Sequence, residues 1–117
     1  MKSCTDLVNE AKARIREVSP DEARELHKRG DVTFLDVRDQ QEVNLGRIPG
    51  ALHISRGTLE SKLEAAVPRG TEVVIYCASG NRSAFAADTL QQMGYEKVSS
   101  LAGGFRGWAE AGGDVDG

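Results

Sequence analysis

Residues 73–94, VVIYCASGNRSAFAADTLQQMG, set a short β-branched and aromatic run against a stretch of helical periodicity, with Cys77 at the junction. The run from Glu72 to Tyr76, bounded upstream by Pro68 and Gly70, predicts a strand buried on both faces. From about Ser83 the apolar residues Phe85, Ala86, Leu90 and Met93 recur at helical spacing until Gly94 stops the pattern. The residues between form a tight strand-to-helix loop whose backbone N–H groups converge. Such a loop, capped by the positive end of a helix macrodipole, favours an anion at its centre. Here that anion is the Cys77 sulfur, since a cysteine in such a setting is activated as a thiolate. Gly80 lets the backbone turn without a Cβ penalty, and Arg82 puts a cation at the rim. Packing of Cys77 as a small buried hydrophobe is the plainer alternative.

The rest of the chain alternates helices and strands. Leu7, Val8 and Ala11 give residues 3–13 an amphipathic helical pattern, and Ile15–Val18 reads as a first strand. Ser19-Pro20-Asp21-Glu22 has the form of a capping box with proline at the first helical position, opening a helix that ends near Gly30. Further strands are expected at Val32–Val37, Ala51–Ile54 and Val98–Leu101, and a short helix at Thr58–Val67. Gly103-Gly104 turns the chain into a last helix whose Phe105 and Trp108 fill the core. Strands separated by helices predict an α/β fold, a parallel sheet with right-handed crossovers and helices on both faces. The organisation expected is an amphipathic helical extension over 1–14, a domain over 15–111, and a mobile tail over 112–117, whose GGDVDG has little apolar content.

Four motifs in order make the sequence resemble the rhodanese family: FLDVRDQQE at 34–42, GRIPGALHI at 46–54, CASGNRS at 77–83 and LAGGFRGW at 101–108. With IREVS at 15–19 they cover nearly the whole chain. The resemblance implies a three-layer αβα fold around a five-stranded parallel sheet. It also implies a sulfurtransferase, in which Cys77 takes a sulfane sulfur from thiosulfate or a related persulfide donor. The persulfide then passes that sulfur to cyanide, a small thiol or a protein thiol. Residues 78–83 (Ala78, Ser79, Gly80, Asn81, Arg82 and Ser83) become the substrate loop, with Arg82 the candidate for the donor's sulfonate oxygens and Ser83 a helix cap or a donor to the persulfide. Asp36 and Arg38 are alternatives for the substrate mouth, although the Asp36 pattern reads first as structural. Arg38 and Glu42 have the spacing of an intrahelical ion pair if a helical turn follows the strand.

Covalent transfer of this kind needs an activated cysteine more than a separate base. The two histidines, His27 and His53, read as structural or surface residues, which argues against a cysteine-protease pair. Only four residues separate Cys77 from Arg82, whereas tyrosine phosphatases have five between cysteine and arginine, so phosphatase or arsenate reductase chemistry is the weaker reading. Arg47 stands where the family usually has histidine, Val43 replaces a common aromatic, and Ala78-Ser79 replace the basic loop neighbours of some thiosulfate enzymes. The alternative from another class is a non-catalytic partner-binding or redox-sensing module, for which loss of the loop cysteine is the usual marker.

Composition bounds the function further. At 117 residues the chain can bury roughly two-thirds of its unfolded surface as one domain. Fifteen basic against 18 acidic side chains leave no basic stripe for nucleic acid. No segment has the length of a signal core or membrane span, so the expected compartment is the cytoplasm, with Cys4 and Cys77 as free thiols. No cofactor and no metal is expected, because neither cysteine falls in a ligand-like spacing.

Overall fold

Strand β4, Val73–Tyr76, occupies the centre of a five-stranded, all-parallel sheet of order β1-β5-β4-β2-β3. That position explains its unbroken apolar sequence: all four residues are buried, since both faces of the strand are covered. The computed structural model describes residues 1–117. The other strands are β1 Arg16–Val18, β2 Thr33–Asp36, β3 Leu52–His53 and β5 Val98–Leu101. Helices α1 Cys4–Arg14, α2 Pro20–Arg29, α3 Gln40–Asn44, α4 Leu59–Ala66, α5 Asn81–Gln92 and α6 Gly104–Glu110 complete the order, with a 3-10 turn at Arg56–Thr58 before α4.

Alternation along β4 splits the core into two layers. Val73 and Ile75, with Cys77 just beyond, face the layer built from Leu59 and Leu63 of α4 and Ala86, Ala87 and Leu90 of α5. Val74 and Tyr76 face the opposite layer with Ala23 of α2 and Trp108 of α6. The three-layer αβα arrangement is thus the strand's period of two expressed on both sides of one sheet.

Local signals account for the helix ends. At Ser19 the capping box forms in both directions, and Gly30 closes α2 in the left-handed conformation at φ 79°. A second capping box, Ser3 with Asp6, opens α1. Val8 and Ala11 of α1 are buried, Leu7 is exposed, and Arg14 grips Asp88 of α5 through bonds of 3.1 and 2.9 Å. The tail has more partners than its composition suggests. Arg47 and Asp116 exchange backbone hydrogen bonds of 2.8 and 2.9 Å, and the Trp108 indole donates to the Asp114 carbonyl at 2.7 Å.

Beside the sheet's carboxyl end lies a buried ion pair. Arg38 Nη2 donates to Asp36 Oδ2 at 2.7 Å and to the Gly46 carbonyl at 2.7 Å, while Nε reaches Asp36 Oδ1 at 3.0 Å. Its guanidinium lies 4.4 Å from the Phe105 ring centroid and 5.5 Å from that of Tyr76. Burial, followed by the Asp36 carboxylate, pushes the Tyr76 phenol well above its ordinary range, so its hydroxyl stays neutral and accepts the Ile48 N–H at 3.2 Å. The cluster ties β2, the 46–48 turn and α6 together with no buried side-chain nitrogen or oxygen left unpartnered. Substituting Arg38→Met strands the Asp36 carboxylate in this site. The expected loss is about 3–5 kcal/mol in urea unfolding, the range for removing one partner of a buried pair; a loss under about 1 kcal/mol would show that water or another group takes the place of the guanidinium.

Candidate active site

Cys77 follows β4 directly and is 1% exposed, with its side chain on the α5 face. Helix α5 begins at Asn81, two residues earlier than the apolar pattern predicts, because Gly80 takes the N-cap position at φ 102°. The early start has a chemical consequence. The first amides of a helix have no intrahelical acceptor, and here two amides around that turn point to the sulfur: Gly80 N–H at 3.1 Å and Ser83 N–H at 3.3 Å from Sγ. The Ser83 hydroxyl lies 3.5 Å from Sγ and 2.8 Å from the hydroxyl of Ser100 on β5. Ser83 therefore does not cap the helix; its hydroxyl joins the sulfur to a buried serine.

The other side of the loop is held by α6. Phe105 N–H donates to the Cys77 carbonyl at 2.7 Å and Arg106 N–H to the Ala78 carbonyl at 3.2 Å. These bonds take the two carbonyls to α6 while the amides of Gly80 and Ser83 face the sulfur. The approach leaves no room for a side chain at Gly104, where a Cβ would stand 2.5 Å from the Cys77 oxygen and φ is +59°. At Gly80 a Cβ would come within 3.3 Å of Gly103 N, so each glycine faces the other's loop.

Of the remaining loop residues, Ser79 and Asn81 are exposed and Ala78 is half-buried, forming the rim. Arg82 is not free. Its two terminal nitrogens each lie 3.1 Å from an oxygen of Glu42, a parallel fork between α5 and α3. Hydrogen bonding to Arg82 chiefly holds the Glu42 carboxyl below its ordinary range, and the same bond raises Arg82. The expected Arg38–Glu42 pair is thus corrected: Glu42 bonds Arg82, and Arg38 turns inward to Asp36.

Asp36 and Arg38, the substrate-mouth alternatives, are paired with each other. Their side chains are 1% and 4% exposed, and each spends its hydrogen-bonding groups on the other and on backbone. His53 donates to the Arg38 carbonyl at 2.7 Å and His27 to the Pro49 carbonyl at 2.8 Å, both structural contacts. Cys4 is exposed at the first residue of α1. Three contributors escaped the sequence reading. Ser100 carries no local signal, because only the sheet register brings β5 under the loop. The Phe105 and Arg106 amides and the Gly104 contact were foreshadowed by the double glycine, which sequence alone assigns only to a turn.

A family model of the rhodanese-like domain matches residues 19–111. Thiosulfate sulfurtransferase GlpE of Tolumonas auensis is 35% identical over 91 residues, which span 78% of this chain and 85% of the relative. Among solved structures, a Rhodopseudomonas palustris protein of unknown function, named as a possible tyrosine phosphatase, aligns with TM-score 0.89 at 36% identity, covering 99% of this chain and 96% of its own. The polysulfide-sulfur transferase homodimer of Wolinella succinogenes aligns with TM-score 0.81 at 32% identity, covering 94% and 84%. The chain belongs to the rhodanese-like domain family. Within it, the chain is a sulfurtransferase.

The Gly104 contact gives a sharp expectation. Gly104→Ala must push α6 away from the Cys77 and Ala78 carbonyls, costing at least about 2 kcal/mol from the left-handed backbone and the clash. Alkylation of Cys77 by iodoacetamide should change with it, since the amides lose their fixed aim. Unaltered unfolding and alkylation rates together would show that α6 is dispensable to the loop.

Proposed function

We propose that Cys77 is the sulfur carrier of this enzyme, accepting a sulfane sulfur from thiosulfate or a related persulfide donor and delivering it to a thiol or cyanide. The observation that supports this most directly is the convergence of the Gly80 and Ser83 amides on Sγ. Preorganised donors of this kind stabilise negative charge without reorganising during reaction.

With thiosulfate, the Cys77 thiolate attacks the outer sulfur. A new S–S bond forms, the bond inside the donor breaks, and its electron pair leaves on sulfite. The persulfide sulfur is then attacked by cyanide, giving thiocyanate, or by a thiolate, giving a new persulfide; in each case the electron pair returns to Cys77 as thiolate. Gly80 and Ser83 hold the anionic sulfur, Ala78, Ser79 and Asn81 shape the rim, and Arg82 contributes a positive charge beside it. No residue is needed as general base, consistent with both histidines being engaged elsewhere.

A small donor anion and a thiol acceptor, small-molecule or protein, are the partners this reading calls for. The cytoplasm suits it, because a reducing compartment keeps Cys4 and Cys77 as thiols. No helix is long and apolar enough to cross a membrane. The name of the R. palustris protein raises a phosphatase reading. Against it stand the four-residue spacing to Arg82 and the engagement of that guanidinium by Glu42, which leaves no open fork for a phosphate.

Reduced protein incubated with thiosulfate, or separately with glutathione persulfide, should gain one sulfur atom by intact mass, mapped to Cys77 and removed by cyanide. Cys4→Ala should behave as the parent, Cys77→Ala should gain nothing, and p-nitrophenyl phosphate should not be hydrolysed. Absence of loading from both donors would remove the sulfurtransferase reading of Cys77 and leave a redox or partner-binding role for the domain.

A further inference from the structure

Arg82 is the second residue of α5, immediately before Ser83, whose amide points to the Cys77 sulfur. Yet its guanidinium is closed against Glu42 by two bonds of 3.1 Å. Glu42 is held in place from its own side as well, because the same carboxylate accepts the Asp39 N–H at 3.3 Å as part of the capping box that opens α3. The partners' side chains are 40% and 34% exposed, so the fork is solvent-accessible where it joins the first turn of α5 to α3. The Arg38 guanidinium offers nothing in compensation, being buried against Asp36. A donor reaching Cys77 thus meets an arginine whose planar edge is occupied and a carboxylate beside it.

This arrangement distinguishes donors by what their transferable sulfur is attached to. In thiosulfate that sulfur is bonded to a sulfonate, whose oxygens want a guanidinium edge and are repelled by a carboxylate. In a persulfide it is bonded to a thiol sulfur, which needs no such edge. The displacement is the same for both: Cys77 thiolate attacks the outer sulfur, and the electron pair of the broken S–S bond leaves on sulfite in one case and on a thiolate in the other. We propose that Glu42 is a specificity-determining residue that, by occupying Arg82, disfavours oxyanion donors such as thiosulfate and directs the site toward persulfide donors. The inference rests on Cys77 being the sulfur carrier.

The test compares the parent with Glu42→Gln, which keeps a capping-box residue at that position, and with Glu42→Ala as a second variant, each checked for thermal unfolding. Single-turnover loading of Cys77 is followed by quenched mass spectrometry over a range of thiosulfate or glutathione persulfide concentrations. Both variants should need about three- to fivefold less thiosulfate for half-maximal loading, the scale of one partly exposed ion pair, while the glutathione persulfide dependence stays within about twofold of the parent. An unchanged or higher thiosulfate requirement, or an equal change for both donors, overturns the role of Glu42 and leaves Cys77 as carrier intact. A parent protein that loads from neither donor overturns both.

Discussion

A loop that turns its amides onto a buried sulfur has to divide its backbone polarity, with amides toward the sulfur and carbonyls away from it, and every buried carbonyl turned away must find a donor elsewhere. In this protein α6 provides those donors. The Phe105 and Arg106 amides take the Cys77 and Ala78 carbonyls, and the left-handed Gly104 lets the two backbones touch. The position of α6 in turn depends on Trp108, buried in the layer beneath Phe34 and His27. The chemistry of one cysteine is thereby coupled to the packing of the opposite face of the sheet. A disturbance of the α6 layer is transmitted to the sulfur through two hydrogen bonds and one backbone contact.

The arginines beside this loop have divergent roles that charge alone does not reveal. Arg38 is a core residue: lying against the Phe105 and Tyr76 rings, it pairs with Asp36 and ties the 46–48 turn to the end of β2. Its bonds are in a low-dielectric setting, where an unpaired partner is expensive. Arg82 is a rim residue whose pair with Glu42 is half-solvated and contributes little to stability. Burial therefore separates a guanidinium that holds the fold from one paired at the surface.

The N-terminal helix adds to the same site from a distance. Val8 and Ala11 are buried and Arg14 forks with Asp88, which lies in the middle of α5. The helix whose first turn cradles the sulfur is thus braced along its length by α1, by α4 across the core, and by β4 and β5 beneath it. Such bracing keeps the Gly80 and Ser83 amides aimed at one point, the condition for preorganised stabilisation of charge.

The sequence by itself determined the alternation of elements, the central buried strand, the capping at Ser19 and Gly30, and the placing of Cys77 at the head of α5. Each of these is written in local periodicity or in the conformational limits of one residue, so neighbours along the chain suffice to read it. What only the tertiary structure decided are the partners of groups far apart in sequence. Arg38 and Glu42 have helical spacing, but the chain leaves β2 in an extended step, which lets Asp36 capture Arg38 and frees Glu42 to cross to Arg82. Ser100 reaches Ser83 because β5 lies beside β4 in the register Ile75 to Ser100. Gly104 meets the Cys77 carbonyl because α6 returns over the end of the sheet. Hydrogen bonds and ion pairs act over a few ångströms of space, and no periodicity along the chain encodes which distant residues the fold brings within that range.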